Sequence, residues 1–442
     1  MQQPQAQPAE KFSEKFTDHA VNGVNPTEQT ADFVAAHRTE DVRQLALKAK
    51  RVEGLDLPLA LDQIAGWQIA CKKLPQWASC EGIIYPPHIS MEQCSSQFTA
   101  QYKSEIAQTL LTPAVTVRAR MSDSPESDTL VARSSMVDLT GGFGVDFSYL
   151  ARGFSQATYV ERQRHLCDLA EHNMAALGLD QARIVCGDGV EYLRQMDPVD
   201  FIYLDPARRD EHGSRTYAIE DCTPNVLELR DLLLAKSQCT LVKLSPMLDW
   251  RKAVADFDGT VREVHIVATG NECKELLLVL GQQVHEEPSA PRVFCVNDNQ
   301  RIDYDSAAYT QGLRIGGKPL PETKNYLYEP NASIMKAGCF DLVEERFGVT
   351  QVGPSSHLFV SATPVADFPG RGFAIEAIGG MNKKDIKRLL NGTKQANIAV
   401  RNFPLTAPQL RKKLKLADGG PVYLFGTTMQ GCDHVLLRTS KI

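Results

Sequence analysis

The chain has 442 residues, of which 43% are apolar, 23% charged and 7% aromatic. At roughly 150 residues per domain this is enough for two to four domains with sizeable cores, and the composition excludes a disordered or fibrous chain. The net charge of −6 is uneven: residues 381–442 hold twelve Lys/Arg against three Asp, a balance of +9, so the preceding 380 residues carry −15.

An acidic body with a basic end suggests a terminus that binds a polyanion. No run of 18 apolar residues is present, so no membrane span is expected. The opening stretch lacks the apolar core of a secretory signal. Eleven cysteines are scattered without C-x-x-C or zinc spacing, which supports neither a disulfide framework nor a metal site. The expectation is a cytoplasmic protein with reduced thiols.

In chain order, residues 1–32 are rich in Gln, Pro, Glu and Asn and read as a flexible leader. Residues 33–128 read as a helical domain. Ser90-Met-Glu-Gln93, after Pro86-Pro87, has the form of a capping box opening a helix through Tyr102 and Lys103. The polar stretch Met121 to Asp128 reads as a linker. Over 129–285, short apolar runs at 136–139, 157–160, 183–186, 200–204, 240–244, 261–268 and 276–280 alternate with helical periods at 145–152, 164–178, 189–196, 223–236 and 248–256. Seven runs in such alternation argue an α/β, Rossmann-like, doubly wound sheet of seven strands, the last two joined without a helix. Residues 286–325 read as a small β-containing connector domain. Residues 326–442 read as an α+β domain, with helices near 332–347 and 381–390 and strands near 373–378, 396–401 and 421–425.

The chemistry gathers where successive strands end. Asp138-Leu-Thr-Gly141-Gly142-Phe-Gly144-Val-Asp146 closes the first run, and its glycines allow a tight turn and close approach to a ligand. Glu161 ends the second run, 23 residues after Asp138, where an acid can accept from ribose hydroxyls. Gly187-Asp188-Gly189 ends the third and Asp205-Pro206 the fourth. A crevice carrying Asp138, Asp146, Glu161, Asp188 and Asp205 repels a diphosphate. It suits S-adenosylmethionine, which offers a sulfonium, an ammonium and a ribose. No Gly-Lys-Ser/Thr follows the glycines and no Gly-x-Ser-x-Gly is present, so Walker-type nucleotide binding and a serine nucleophile elbow are excluded. Lys243 reads as a buried ion-pair partner or a contact to substrate phosphate, Cys222 as a packing residue, and His165 and His172 as helix-surface residues without a metal role.

Further motifs are Tyr85-Pro-Pro-His-Ile-Ser-Met-Glu-Gln93, Leu204-Asp-Pro-Ala-Arg-Arg-Asp210, Asp221-Cys-Thr-Pro-Asn-Val226, Lys243-Leu-Ser-Pro-Met-Leu-Asp249, Tyr328-Glu-Pro-Asn-Ala332 and Arg401-Asn-Phe-Pro-Leu405. With the glycine turn, they make residues 33–442 similar to the class I S-adenosylmethionine-dependent methyltransferases of the bacterial group with a helical N-terminal region and a THUMP-like C-terminal domain. The resemblance implies that Asp138, Thr140, Gly142, Gly144 and Asp146 line the methionine end of the cofactor, that Glu161 takes the ribose, and that Asp188 faces the adenine amino group. It puts Asp205, Pro206, Ala207 and Arg208 in the slot that reads Asp/Asn-Pro-Pro-aromatic in amino-methylating relatives. Here Ala207 stands for the second Pro, Arg208 for the aromatic and Thr140 for the usual first Gly.

THUMP domains in related enzymes imply RNA, usually tRNA. Two basic clusters fit that partner: Lys383, Lys384, Lys387 and Arg388 on one helix, and Arg411, Lys412, Lys413 and Lys415 after Arg401. The reading is methyl transfer to tRNA or rRNA. Methylation of a protein or small molecule, and an RNA-binding protein without activity, stay open as alternatives.

Overall fold

The computed structural model describes residues 26–48, 52–120, 134–208, 218–281, 290–309, 324–353, 355–431 and 433–442. The expected linker Met121 to Asp128 lies outside them, as does the leader up to residue 25. Thr27 already caps a helix, Glu28–His37, through its side-chain oxygen. The chain forms two compact units, Met1–Val261 with Leu277–Glu286, and Arg262–Leu276 with Glu287–Ile442.

The first unit begins with helices Glu28–His37, Val42–Lys48, Leu57–Lys73, Pro75–Ser79, His88–Gln93 and Gln97–Arg120. Asp56 caps the third, accepting from Leu59 N–H, and its Ala60 and Ile64 pack with Val34 and Leu45. The expected capping box at Ser90 does not form. The helix starts at His88, directly after extended Pro87, so Ser90 falls inside its first turn. Extended Cys94 then ends that helix, and Tyr102 and Lys103 belong to the next one.

Strands β1 (Ser135–Asp138), β2 (Gln156–Glu161), β3 (Ala182–Cys186) and β4 (Val199–Leu204) follow, separated by helices Val145–Leu150, Arg164–Ala176 and Gly189–Gln195. β1 lies between β2 and β4, with Val137 opposite Thr158 on one side and Ile202 on the other, all parallel. β5 (Ala207–Arg208) pairs antiparallel with β6 (Cys222–Thr223). Helix Val226–Lys236, capped by Asn225, leads to β7 (Ser237–Leu244), which is parallel to β4. The order β7-β4-β1-β2-β3 reverses direction between β1 and β4, and that switch point opens a crevice at the strand ends.

β8 (Val261–Thr269) and β9 (Glu272–Gly281) are joined through Gly270 and Asn271, both at positive φ, as a two-residue hairpin turn requires. β10 (Arg292–Asn297) runs parallel to β8, and β11 (Gln300–Asp305) antiparallel to β10. The sheet order is β11-β10-β8-β9-β7-β4-β1-β2-β3. Among the described residues the seven expected strands are all present in this sheet, and β10 and β11 extend it, because part of the stretch read as a connector domain at 286–325 pairs its backbone with β8. The expected strand at 312–315 lies outside the described residues.

The second sheet holds β12 (Tyr326–Pro330), β13 (Thr350–Gln351), β14 (Phe359–Ser361), β15 (Gly370–Gly379), β16 (Asn397–Arg401), β17 (Val422–Thr428) and β18 (His434–Lys441), in the order β13-β14-β12-β15-β18-β17-β16. Its core includes Leu327, Phe373, Phe425 and Leu437 on one patch, with Leu389, Leu410, Leu424 and Leu436 on another. The single helix expected near 332–347 is two, Ala332–Ala337 and Phe340–Phe347, because Gly338 takes φ 67° and caps the first. Glu329 is buried in β12 and accepts from Arg401 Nη2 at 2.8 Å and from the Arg371 guanidinium. This clamp unites two motifs that lie 72 residues apart in the chain.

Glu329→Ala removes a charged acceptor shared by two guanidinium groups, so we expect it to cost about 1.5–3 kcal/mol of stability. A lowered urea midpoint reports the loss; an unchanged one would show that the clamp contributes nothing.

Candidate active site

A cavity of about 730 Å³ opens at the carboxyl ends of β1 to β4. Its wall includes Thr140 and Gly142 after β1, Glu161 after β2, Asp188 after β3, and Asp205 and Ala207 after β4. The strand order brings these six expected residues together. Two glycines explain the close backbone. Gly144 has φ 84° at the start of helix Val145–Leu150, a conformation that side chains disfavour. At Gly189, the last residue of the Gly187-Asp188-Gly189 turn, a Cβ would collide with Leu139 O.

The acids on the wall are held in place by backbone donors. Glu161 Oε2 accepts from Gly142 N–H at 3.0 Å and Oε1 from Gln163 N–H at 2.9 Å, which aims the carboxylate across the glycine turn. Asp188 is the N-cap of helix Gly189–Gln195, with Oδ1 accepting from Val190 N–H at 2.8 Å and Glu191 N–H at 3.1 Å. Thr140 ties two loops: its N–H donates to Asp138 Oδ1 at 2.9 Å, and its Oγ1 accepts from Asp205 N–H at 2.6 Å.

Three expected cofactor-binding residues, Asp138, Gly144 and Asp146, are not on the wall. Asp138 is 1% exposed beneath the turn rather than on the cavity wall. Burial pushes its carboxyl up to about 8, the Thr140 N–H bond opposes the rise, and Asp146 and Asp205 add to it. Asp146 is buried in helix Val145–Leu150, where Lys103 Nζ lies 3.1 Å from Oδ1. Its Oδ2 accepts from Ser95 Oγ at 2.8 Å and Tyr203 OH at 2.7 Å. Burial alone would raise the Asp146 carboxyl, but the Lys103 and Lys243 ammonium groups outweigh it, with help from those hydroxyls, and hold it below the usual range. Asp146 therefore pairs with Lys103 and faces Lys243 from behind the wall. Lys243, on β7, reaches Asp205 Oδ2 at 2.6 Å and is an ion-pair partner.

Asp205 keeps 40% of its side chain exposed and lines the cavity. Pro206 is buried behind it, while Ala207 is exposed and Arg208 pairs its backbone with Cys222. The Asp205 and Asp221 motifs thus meet as the β5–β6 ribbon, with Cys222 buried as expected for a packing residue. Arg209 and Asp210 lie outside the described residues. Thr223 of the same ribbon, with Pro224 and Asn225 that follow it, also lines the wall.

The N-terminal helices contribute Ser90, Gln93 and Cys94 to the cavity, which the sequence reading missed. Their motif was visible, but nothing in its spacing reveals which strand end it covers. Burial pushes the Cys94 thiol up, so it stays a thiol rather than a nucleophilic thiolate. His172 is not a surface residue as expected. It is 5% exposed, and its Nε2 meets Gly82 O at 2.7 Å, because its helix face packs on the N-terminal segment.

In the second unit, Lys383, Lys384, Lys387, Lys412, Lys413 and Lys415 are exposed. Three arginines of the expected RNA-binding set are used within the fold. Arg388 donates to Ile378 O at 2.6 Å, Arg411 to Ala396 O at 2.9 Å, and Arg401 to Glu329.

Residues 96–210 match the family described as protein-L-isoaspartate(D-aspartate) O-methyltransferase. Residues 326–369 match a ferredoxin-like domain and 370–441 a THUMP-like domain. Among solved structures, a candidate methyltransferase of Porphyromonas gingivalis W83 is 29% identical with a TM-score of 0.78, over 99% of this chain and 100% of that one. An O-methyltransferase of Bacillus cereus in complex with SAH is 10% identical with a TM-score of 0.32, over 54% of this chain and 96% of that one. An rRNA methylase of Streptococcus thermophilus is 14% identical with a TM-score of 0.27, over 40% and 96%. No curated protein matches.

Asp138 ionises from about pH 4 when unfolded but holds its proton to about pH 8 when folded. Folding takes up a proton in that window, so its contribution to stability falls as pH rises from about 4 to about 8. Asp138→Asn keeps an acceptor for Thr140 N–H and should flatten that part of the urea-midpoint profile. Identical slopes in both proteins would remove Asp138 from the pH response.

Proposed function

We propose that this chain, a class I S-adenosylmethionine-dependent methyltransferase with a THUMP-like C-terminal domain, methylates RNA, either tRNA or rRNA. The observation that carries the reading is a division of charge. Carboxylates are fixed at the strand-end cavity, and exposed lysines gather in the C-terminal domain.

The cavity fits the cofactor. Its size lies within the range of small-molecule sites, about 300–1,000 Å³. Glu161, already oriented by Gly142 N–H and Gln163 N–H, has its carboxylate available to ribose hydroxyls. Asp188 stands at the adenine end, and Thr140 and Gly142 at the methionine end. Of the two arginines on the wall, Arg194 is paired with Glu191, which lowers the attraction for a diphosphate. When bound, S-adenosylmethionine supplies an electrophilic methyl group whose leaving group is neutral.

The chain's own residues then do modest work. Asp205 orients the acceptor at the cavity mouth and receives its proton late or through water, while Thr140 fixes the Asp205 backbone. Exposed Ala207 and the β5–β6 ribbon border the space for the acceptor. Lys383, Lys384 and Lys387 on one helix, with Lys412, Lys413 and Lys415 on and after another, contact the RNA backbone.

Nucleoside mass spectrometry of total tRNA and rRNA from a deletion strain tests the acceptor. One methylated nucleoside should disappear; an unchanged profile would redirect the search to proteins and small molecules. By calorimetry, S-adenosylmethionine should bind the purified chain and Glu161→Ala should weaken it by about tenfold or more, the loss of a charged hydrogen-bonding partner. Binding of NAD or ATP in its place would overturn the cofactor assignment. Replacing the six exposed lysines by glutamate should weaken RNA binding and flatten its salt dependence by about 0.9 per lost duplex phosphate contact. An unchanged slope would remove these lysines from the interface.

A further inference from the structure

Behind the cavity wall, charged groups of two helices, β7 and the loop after β4 form one chain of contacts. Lys103, from helix Gln97–Arg120, is fully buried, with Nζ 3.1 Å from Asp146 Oδ1 and 3.1 Å from Ser95 Oγ. Asp146 Oδ2 lies 3.8 Å from Lys243 Nζ. Lys243 in turn donates to Asp205 Oδ2 at 2.6 Å and approaches Ser95 Oγ at 3.4 Å. Neither lysine lines the cavity; Asp205 does.

The charge count gives this arrangement a direction. Lys103 and Asp146 alone would make a self-compensated buried pair. Lys243 is a second cation facing the same carboxylate, at 3.8 Å, and it lies closer to Asp205 Oδ2, at 2.6 Å. Burying an ammonium without a partner is costly, so each lysine depends on its carboxylates and each carboxylate on its lysines. Stability alone does not call for this, since apolar residues of similar volume serve as well or better.

We propose that Lys243 is a positioning residue for methyl transfer: held by Asp146 and Lys103, it fixes Asp205 through Oδ2 and leaves Oδ1 to the acceptor group. This rests on the catalytic assignment of Asp205 above. It also gives the helical N-terminal region a task in the reaction, because Ser95 and Lys103 set where Lys243 sits. Without Lys103, Asp146 draws Lys243 away from Asp205, so a residue outside the cavity influences turnover inside it.

The test uses the full-length chain, methyl-labelled S-adenosylmethionine, and total RNA from the deletion strain. Lys243→Ala should lower kcat about 100-fold, the scale of a small misplacement of a reacting group. Its cofactor affinity by calorimetry should not change. Lys243→Arg should restore part of the rate, and Lys103→Met should lower kcat in the same direction. Wild-type turnover in Lys243→Ala overturns the proposal, as does an equal loss of cofactor affinity. A second measurement needs no acceptor: the urea midpoints of Lys243→Met, Asp205→Asn and the double variant should be non-additive. Additive shifts overturn the proposal by themselves. If the wild-type chain labels no RNA, the assignment of RNA as acceptor fails, and the cycle still decides whether Lys243 holds Asp205.

Discussion

Thr140 Oγ1 accepts the Asp205 N–H at 2.6 Å, and this bond joins the loops that leave the two central strands of the sheet. β1 and β4 are neighbours in parallel register, so their ends already lie side by side. The threonine closes the remaining gap and orients the Asp205 peptide toward the cavity. A glycine at this position would allow the turn but could not make the bond. The same residue donates its N–H to Asp138, so turn, buried acid and the Asp205 loop share one hinge point. The most unusual residue of the glycine-rich segment is thus the one on which the geometry depends.

The N-terminal helices are bound into the same arrangement. Trp77 Nε1 donates to Ser148 Oγ at 3.2 Å, and Asn173 both donates to Ile84 O and accepts from Ile84 N–H. These bonds reach helices that follow β1 and β2, the two strands whose ends carry Thr140 and Glu161. Lys103 and Ser95 go further and touch Asp146 behind the wall. A helical segment that satisfies buried polar groups of the sheet's own helices is part of one core, and its loss would take from Asp146 its Lys103 and Ser95 contacts and from Asn173 both bonds to Ile84.

Seven strands of the sheet were legible because each holds a short apolar run. Glu161, Asp188 and Asp205 were legible because a parallel sheet places its ligand at those ends. What escaped reading was set by contacts distant in sequence. The Ser90 pattern satisfies a capping rule, yet Pro86-Pro87 starts the helix earlier. Asp146 has the look of a ligand until Lys103, 43 positions earlier in the chain, is seen beside it. β10 and β11 were read as a connector because no local pattern says that an edge strand continues an existing sheet. The arginines at 388, 401 and 411 counted as a basic surface, although each is also engaged within its own domain, by carbonyls, by Asp385 and Asp418, and by buried Glu329.

These corrections change the electrostatic argument for the cofactor. Five carboxylates in the sequence suggested a strongly negative crevice. Burial keeps a proton on Asp138 at neutral pH, and Asp146 is matched by two ammonium groups, so neither adds much field at the wall. Glu161, Asp188 and Asp205 remain, joined by Glu220 and Glu228 from the segment after the β5–β6 ribbon begins. Preference for a cationic methyl donor then comes from a few oriented acids rather than from a diffuse negative charge. On the proposed reading, oriented acids also let a negatively charged RNA approach: Asp205 is tied to Lys243, so the carboxylate at the mouth would meet the acceptor with its charge partly offset.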